Sequence, residues 1–515
     1  MSTPTRRAKP FEGTSLKAVI AELTAEVREL YVADEVPWVV GYSGGKDSTA
    51  VLQLVWLALK DLPVEQRTKT VYVISTDTLV ENPIVASWVS QSLETMRQAA
   101  AEQQLPIEPN RLTPEVKDTF WVNLIGRGYP APRPKFRWCT ERMKIKPSNS
   151  FIRRVVRRHG EAIMVLGIRK QESQTRARAM AKHEKRRVRD RLSPNGNLPN
   201  SLVYSPIEDW SNDEVWTFLM QRENPWGYSN KDLMTIYQGA TADAECPLVV
   251  DTSTPSCGDS RFGCWTCTLV DQDKSMAAMI TNDGENKRWM EPLLELRNKL
   301  DVANNEEDRD FRKMNGTIQL MTYTDRIDKQ EKQKVVHGPY TQTAREKWLR
   351  ELLRAQAEVR EEGPEEVRYI DLITMEELHE IRRLWVFEKH EVEDLVPRIY
   401  KEETGDDFPG SPLDEQLTLG ADEMELLREA SDGDELAFVT ARELLSVERK
   451  FRTRARRSGL YDELEKTIKR GFFEDKEDAY AYALKKQQLR GKRSVAIQTT
   501  TDDVTGEEGP THASA

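Results

Sequence analysis

The residues Gly41-Tyr42-Ser43-Gly44-Gly45-Lys46-Asp47-Ser48-Thr49 have the makings of an anion cradle. An apolar run, Trp38-Val39-Val40, precedes them and an apolar-faced stretch, Thr49 to Leu59, follows. That pattern reads as strand, glycine-rich turn, helix start. Glycines let backbone N–H groups approach phosphate oxygens, and a helix N-terminus adds a favourable dipole. Lys46 supplies a positive charge, and Ser43 and Ser48 supply hydroxyls. Asp47 is suited either to hold Mg²⁺ or to orient the loop. The run is not a Walker A loop, which needs G-x-x-x-x-G-K-[ST]: position 40 is Val and Asp47 follows Gly45-Lys46. A second β-branched run, Val71 to Ile74, leads into Ser75-Thr76-Asp77-Thr78. Ligands of doubly wound sheets sit at the carboxyl ends of strands, so Asp77 is placed either to meet a ribose or base or to cap a turn.

Four of the five cysteines form a second constellation, Cys246-x10-Cys257-x6-Cys264-x2-Cys267. Four thiolates suit tetrahedral zinc or a [4Fe–4S] cluster. Zinc ribbons usually pair two C-x-x-C knuckles, and only Cys264-Trp265-Thr266-Cys267 has that spacing. The uneven spacing and the flanking glycines and serines favour the iron–sulfur cluster over structural zinc or free thiols. Cys139 remains over, as an inert core thiol, a further ligand or a reactive thiol. Its neighbours Arg137, Arg142 and Lys144 are expected to lower its pKa and favour the thiolate.

Charge is unevenly distributed. Residues 131–190 hold 19 lysines and arginines against five acidic residues, a net of +14 in a chain of net −10. Such a segment suggests an anionic partner, with a solvated helical face as the plainer alternative. Five cysteines in 515 residues exclude a disulfide scaffold. The longest mainly apolar stretch, Ala50 to Leu59, is too short to span a bilayer, and the N-terminal residues carry no signal-peptide core. A soluble, cytoplasmic protein is expected.

The elements that must position these residues follow from periodicity. Leu16, Val19, Ile20, Leu23, Val27 and Leu30 recur at helical spacing and predict a lead-in helix. Asn82-Pro83 reads as an N-cap and first helical residue, and Ala162 to Leu166 as a third buried strand. Ser211-Asn212-Asp213-Glu214 has capping-box form. Strands alternating with helices predict an α/β fold with a doubly wound, mostly parallel sheet. Beyond Arg288 the chain reads as polar helices, including 345–360, 375–390 and 423–489. The expected organisation is a lead-in helix at 1–35, a nucleotide domain at 36–240 and a four-cysteine segment at 241–275. Helical regions at 276–405 and 406–489 and a disordered tail at 490–515 follow.

The order S-G-G-K-D-S resembles the PP-loop of the adenine nucleotide α-hydrolase families. That resemblance implies ATP cleavage between the α and β phosphates, giving pyrophosphate and an adenylated product. Gly167-Ile168-Arg169-Lys170-Gln171-Glu172-Ser173-Gln174-Thr175-Arg176 is similar to the G-I-R-x-x-E-S-x-x-R stretch of the PAPS reductase-like branch. Arg169 and Arg176 suit phosphate or sulfate oxygens, because a guanidinium makes paired charge-assisted bonds. Pro206-Ile207 with Trp210 resembles that branch's P-I-x-x-W segment. Cys139, Lys144 and Pro147 resemble its C-x-x-x-x-K-x-x-P stretch, in which Lys144 and Lys146 would bind phosphate. Reductases of adenylylsulfate often carry adjacent cysteines there, but Trp138 precedes Cys139 in this chain, which argues against that activity.

Together with the four-cysteine spacing, these motifs resemble the sulfurtransferase component of bacterial DNA phosphorothioation systems, from about Trp38 to Cys267. The resemblance implies that sulfur replaces a non-bridging oxygen of a DNA phosphate. It implies ATP, Mg²⁺ and a [4Fe–4S] cluster as cofactors. A cysteine desulfurase would be the sulfur donor and the other proteins of such systems would be partners. In this reading Lys46, Asp47 and Cys139 are catalytic. Ser43, Gly44, Gly45, Ser48, Asp77 and Arg169 hold the nucleotide, and Cys246, Cys257, Cys264 and Cys267 hold the metal. The rival readings are a reductase of adenylylsulfate or its 3′-phosphate, a tRNA thiolase, and a non-catalytic, zinc-stabilised DNA-binding subunit.

Overall fold

Trp38-Val39-Val40-Gly41 forms the central strand β1 because its alternating side chains serve two faces at once. Trp38 and Val40 turn to one side of the sheet and Val39 to the other, and all three are fully buried. The first face is covered by α1 (Leu16–Val32) and α2 (Lys46–Lys60). On the second, Phe151, Ile152 and Val155 of α4 (Lys146–His159) pack with Val39, Tyr72 and Ile74. The computed structural model describes residues 13–134, 136–189, 191–240, 262–302, 305–325, 329–410, 420–452 and 456–502.

The remaining strands are β2 (Val71–Thr76), β3 (Ile107–Leu112), β4 (Ala162–Val165), β5 (Ser193–Pro194) and β6 (Ser201–Tyr204). Their order is β3-β2-β1-β4-β6-β5. All pairs are parallel except β5 with β6. The fold is therefore the expected mostly parallel α/β sheet, with a helical C-terminal part. The chain leaves β1 toward β2 on one side and later returns to β4 on the other. The crevice at their carboxyl ends is the topological switch point where such sheets bind ligands. Helix α3 (Pro83–Glu102) starts as expected, with the Asn82 side chain accepting from the Ile84 N–H and proline in the first turn.

β3 is absent from the sequence reading. Its run Ile-Glu-Pro-Asn-Arg-Leu is polar and carries Pro109, but it lies at the sheet edge, where proline is tolerated.

The chain divides into two units. The first comprises 1–122, 131–302 and 351–377, and contains the sheet; the second comprises 123–130, 303–350 and 378–515. Two expectations for the C-terminal part need correction. Leu320–Thr324 and Glu331–Val335 form an antiparallel hairpin rather than helix, consistent with the β-prone run Thr322-Tyr323-Thr324. The helix Lys476–Asp502 runs into the first part of the expected disordered tail, since propagating an existing helix costs far less than starting one; the rest of that tail, 503–515, lies outside the described residues. Among the described residues no helix is long and apolar enough to cross a membrane.

Candidate functional site

The loop after β1 opens into a cleft of about 1130 Å³ at the switch point. Gly44 takes φ +74°, and a Cβ there would lie 2.4 Å from Val89 Cγ2. Only glycine lets the chain turn this tightly against α3. Gly45 caps α2 and contributes no side chain to the first-turn N–H groups, which face the cleft side of the loop as a helix N-terminus suited to an anion. The loop is braced internally. Ser48 Oγ donates to the Gly45 carbonyl at 2.9 Å and lies 3.1 Å from Ser43 Oγ. We predict that Gly44→Ala costs about 1–2 kcal/mol through the left-handed backbone alone. It should also weaken ATP binding; thermal unfolding with and without ATP checks both effects.

Asp47 lies at the centre of a charge network. Its Oδ2 accepts from Lys46 Nζ at 3.0 Å and its Oδ1 from Arg169 Nε at 2.7 Å. Arg169 is almost wholly buried and also donates to the Trp210 carbonyl at 3.2 Å. It thus ties the loop after β4 to the start of α2. The approach is close: a Cβ on Gly167 would lie 2.7 Å from the Asp47 carbonyl oxygen. Both carboxylate oxygens of Asp47 are thus engaged by side chains of the loop and of the segment after β4. Burial lowers the Lys46 pKa, Asp47 opposes that shift and Arg169 adds to it. Tyr237 completes this wall. Its hydroxyl lies 3.4 Å from the Lys46 N–H and its ring centroid 5.7 Å from Lys46 Nζ, and burial pushes the phenol up to about 12.

Asp77 also lines the cleft. Its Oδ1 accepts from the Leu79 N–H at 2.7 Å, which holds Leu79 at φ +64°. Its Oδ2 accepts from Arg111 Nε at 3.0 Å. The carboxylate therefore caps the turn after β2. Lys144 and Arg176 reach the same cleft, so the loop residues Ser43 to Ser48, Asp77, Lys144, Arg169 and Arg176 are gathered in one place. Lys146 is elsewhere. It lines a separate hollow of about 210 Å³ with Arg111, Arg142 and Arg154. Lys146 and Arg142 both pair with Asp118.

Cys246 and Cys257 lie outside the described residues. Cys264 and Cys267 sit in a turn closed by Cys267 N–H to the Cys264 carbonyl at 3.0 Å. That turn is stitched to the cleft wall. Trp265 N–H donates to the Val80 carbonyl at 2.9 Å, and Cys264 Sγ lies 3.3 Å from Thr78 Oγ1. Glu81, a cleft residue, lies 3.9 Å from Cys264 Sγ and 3.3 Å from Lys144 Nζ. Burial and the Glu81 carboxylate push the Cys264 thiol up to about 12. Burial opposes the charge on Lys144, but Cys264 and Glu81 outweigh it and hold the ammonium above its ordinary value.

The expected lowering of the Cys139 pKa is not found. Burial raises its pKa and the nearby Cys267 adds to the rise. The cations meant to lower it are committed elsewhere: Arg142 to Asp118, Lys144 to Glu81, and Arg137 to the Pro134 carbonyl. Cys139 interacts electrostatically with Cys267 of the Cys264–Cys267 turn, and is not among the residues lining the cleft. Two thiols in a C-x-x-C turn fit one edge of a cluster or zinc site; among the described residues no group of three or more metal-binding side chains is assembled.

The sequence reading passed over Arg111, Glu81 and Tyr237. Arg111 was hidden by the unrecognised edge strand. Tyr237 lies 191 residues from Lys46, with no local pattern to link them.

Sheet order, loop and switch-point cleft define an adenine nucleotide α-hydrolase-like fold. Residues 37–269 match the model of the phosphoadenosine phosphosulfate reductase domain, so this part of the chain is a PAPS reductase-like domain of the PP-loop superfamily. A Methanocaldococcus jannaschii protein, the uncharacterized MJ0066, is 28% identical over 200 residues, covering 39% of this chain and 35% of that protein. The chain thus spans about a third of that relative's length. Among solved structures, Candida glabrata FMN adenylyltransferase, in complex with FMN and the ATP analogue AMPCPP, is similar at 14% identity and a TM-score of 0.24. The alignment covers 42% of this chain and 60% of that one. The U34-tRNA thiolase NcsA of Methanococcus maripaludis, solved with its [4Fe-4S] cluster, is similar at 14% identity and a TM-score of 0.28. That alignment covers 58% of this chain and 84% of the other.

Proposed function

We propose that the chain is an ATP pyrophosphatase and sulfurtransferase of DNA phosphorothioation, acting as DndC does. The observation that carries this reading is the seating of the Cys264–Cys267 turn on Thr78, Val80 and Glu81, beside the cleft of the S-G-G-K-D-S loop. Sulfur ligands and a nucleotide cradle on one wall suit a reaction in which adenylation and sulfur delivery follow each other.

A phosphodiester oxygen is a poor leaving group. Transfer of AMP from ATP converts it into one, and pyrophosphate departs. Lys46, the N-terminus of α2 and Arg169 would stabilise the charge that develops there. Mg²⁺ would travel with the ATP phosphates, since Asp47 already serves Lys46 and Arg169. A persulfide, loaded on Cys139 by a cysteine desulfurase, then attacks phosphorus through its outer sulfur, and AMP leaves with the oxygen. A thiol reductant afterwards cleaves the S–S bond, which frees the phosphorothioate and leaves Cys139 in a mixed disulfide that a second thiol reduces. A [4Fe–4S] group on Cys246, Cys257, Cys264 and Cys267 would supply redox or sulfur-holding chemistry beside this path. The basic 131–190 segment would hold the DNA backbone by charge, and the other Dnd proteins would be partners. The bacterial cytoplasm is the setting this system requires.

Incubation with ATP, DNA, cysteine, a desulfurase and a thiol reductant, followed by nuclease digestion and mass spectrometry, tests the reading. Phosphorothioate dinucleotides and pyrophosphate are expected, and Lys46→Ala should remove both. Thiolated bases in tRNA would move the assignment to a tRNA thiolase. Orthophosphate and ADP as primary products would show the loop assignment to be wrong.

A further inference from the structure

The helical second unit contains a hollow of about 140 Å³ that the nucleotide chemistry does not use. One wall is a single face of the helix Glu435–Arg452. Arg442, Leu445, Ser446, Arg449 and Arg452 line the hollow at spacings of three and four, which place them on one side of an α-helix. Opposite stand His390 and Val392, with Met424 of the helix Ala421–Ala430. His390 takes φ +64°, a left-handed conformation uncommon outside glycine. Its Nδ1 lies 2.5 Å from Ser446 Oγ.

The charge in this hollow is unbalanced. Arg442 is 5% exposed. Its Nη1 donates to Gln342 Oε1 at 2.8 Å and lies 3.9 Å from Glu393, and its Nη2 lies 4.0 Å from Glu391. Glu391 is itself engaged by Arg345. Among the described residues the Nε of Arg442 has no hydrogen-bond partner. Arg449 is half-buried, with its guanidinium 5.9 Å from the Phe387 ring centroid. No carboxylate among the described residues pairs with it. Burial alone pulls its pKa down, and no acidic neighbour pushes back. Glu448, the acidic residue lining the hollow, is turned to Arg457 at 3.3 Å. Burial, then Arg442, Arg449, Lys389 and Lys450, drive His390 down to about 4, so the ring is neutral near pH 7. The desolvated Arg442 Nε–H and the Arg449 guanidinium, the one without a hydrogen-bond partner and the other without a carboxylate among the described residues, are costly, and a bound oxyanion would satisfy them.

We propose that this hollow is a binding site for a phosphate-sized oxyanion, held by the Arg442, Arg449 and Arg452 guanidiniums and the Ser446 hydroxyl. Ser446 can serve because neutral His390 can carry its proton on Nδ1. The Nδ1–H then donates to Ser446 Oγ and frees the hydroxyl proton for the anion. The phosphate group belongs either to a small free anion or to a nucleic-acid backbone. The site is independent of the reaction proposed for the first unit.

Calorimetric titration of the full chain with inorganic phosphate tests the assignment, against chloride at matched ionic strength. The Lys46→Ala background keeps the nucleotide loop from contributing. One phosphate site should remain. Arg449→Gln and the exposed Arg452→Gln should each weaken it about tenfold, the effect of losing one charge-assisted hydrogen bond. Their unfolding curves serve as the folding check, and Arg452→Gln disturbs no packed group. Unchanged phosphate affinity in the Arg449→Gln, Arg452→Gln double variant, or a response equal to that of chloride, would overturn the proposal. A short duplex lacking terminal phosphates separates the sources. Competition with phosphate identifies a backbone phosphate, and its absence identifies a free anion.

Discussion

Arg169→Met should reduce pyrophosphate release from ATP by about two to three orders of magnitude, the range for removing one preorganised donor. It should also lower stability by about 3 kcal/mol, as when a buried pair loses one partner. The two effects have one origin. The Arg169 side chain joins Asp47 Oδ1 at 2.7 Å to the Trp210 carbonyl at 3.2 Å, and thereby fixes the loop after β4 against the first turn of α2. Methionine keeps much of the volume and none of the donors. Asp47 would retain Lys46 alone, and that ammonium would be drawn toward the carboxylate and away from a phosphate. Arg169→Lys keeps the charge but not the fork, so it should recover stability more than rate. A double-mutant cycle with Asp47→Asn isolates the coupling, because residues acting as one unit give non-additive losses. Coupled pyrophosphate assays and urea unfolding measure both axes. Wild-type pyrophosphate release in Arg169→Met would remove Arg169 from the site.

Which features the sequence made legible follows from how far apart in the chain their partners lie. The loop, β1, α2 and the Asn82 cap depend on neighbours a few residues away, and their patterns predict what is found. The four-cysteine spacing predicts a ligand set, of which only the Cys264–Cys267 turn lies among the described residues. Arg111 was not legible, because an edge strand with Pro109 and alternating polar residues looks like a loop. Glu81 and Cys264 are 183 positions apart, and nothing in either segment points to the other. The lowered pKa expected at Cys139 failed for a related reason. Counting nearby cations ignores the carboxylates that claim them, and Asp118 and Glu81 come from other parts of the fold.

Cys139→Ser and Cys264→Ser should separate the two sulfur roles that the site suggests. Cys264 belongs to the C-x-x-C turn, with its sulfur 3.3 Å from Thr78 Oγ1 and Glu81 and Lys144 beside it. If Cys264 holds the proposed cluster, serine there would replace a soft sulfur ligand by a hard, weakly acidic hydroxyl. Anaerobically purified Cys264→Ser should therefore lose most of the four irons expected of a [4Fe–4S] cluster, together with the brown colour. Cys139 stands near Cys267 but outside the nucleotide cleft lining, and outside the C-x-x-C turn. As a sulfur carrier between the turn and the activated phosphate, its replacement should leave iron content and pyrophosphate release close to wild type. Phosphorothioate yield should fall by about a hundredfold or more, as expected when a covalent nucleophile is lost. Iron loss in Cys139→Ser would make it a ligand instead. Undiminished phosphorothioate would make it a packing residue, and sulfur would then have to reach the phosphate by a route that bypasses Cys139. Iron analysis, pyrophosphate release and digestion mass spectrometry on these two variants distinguish all three roles.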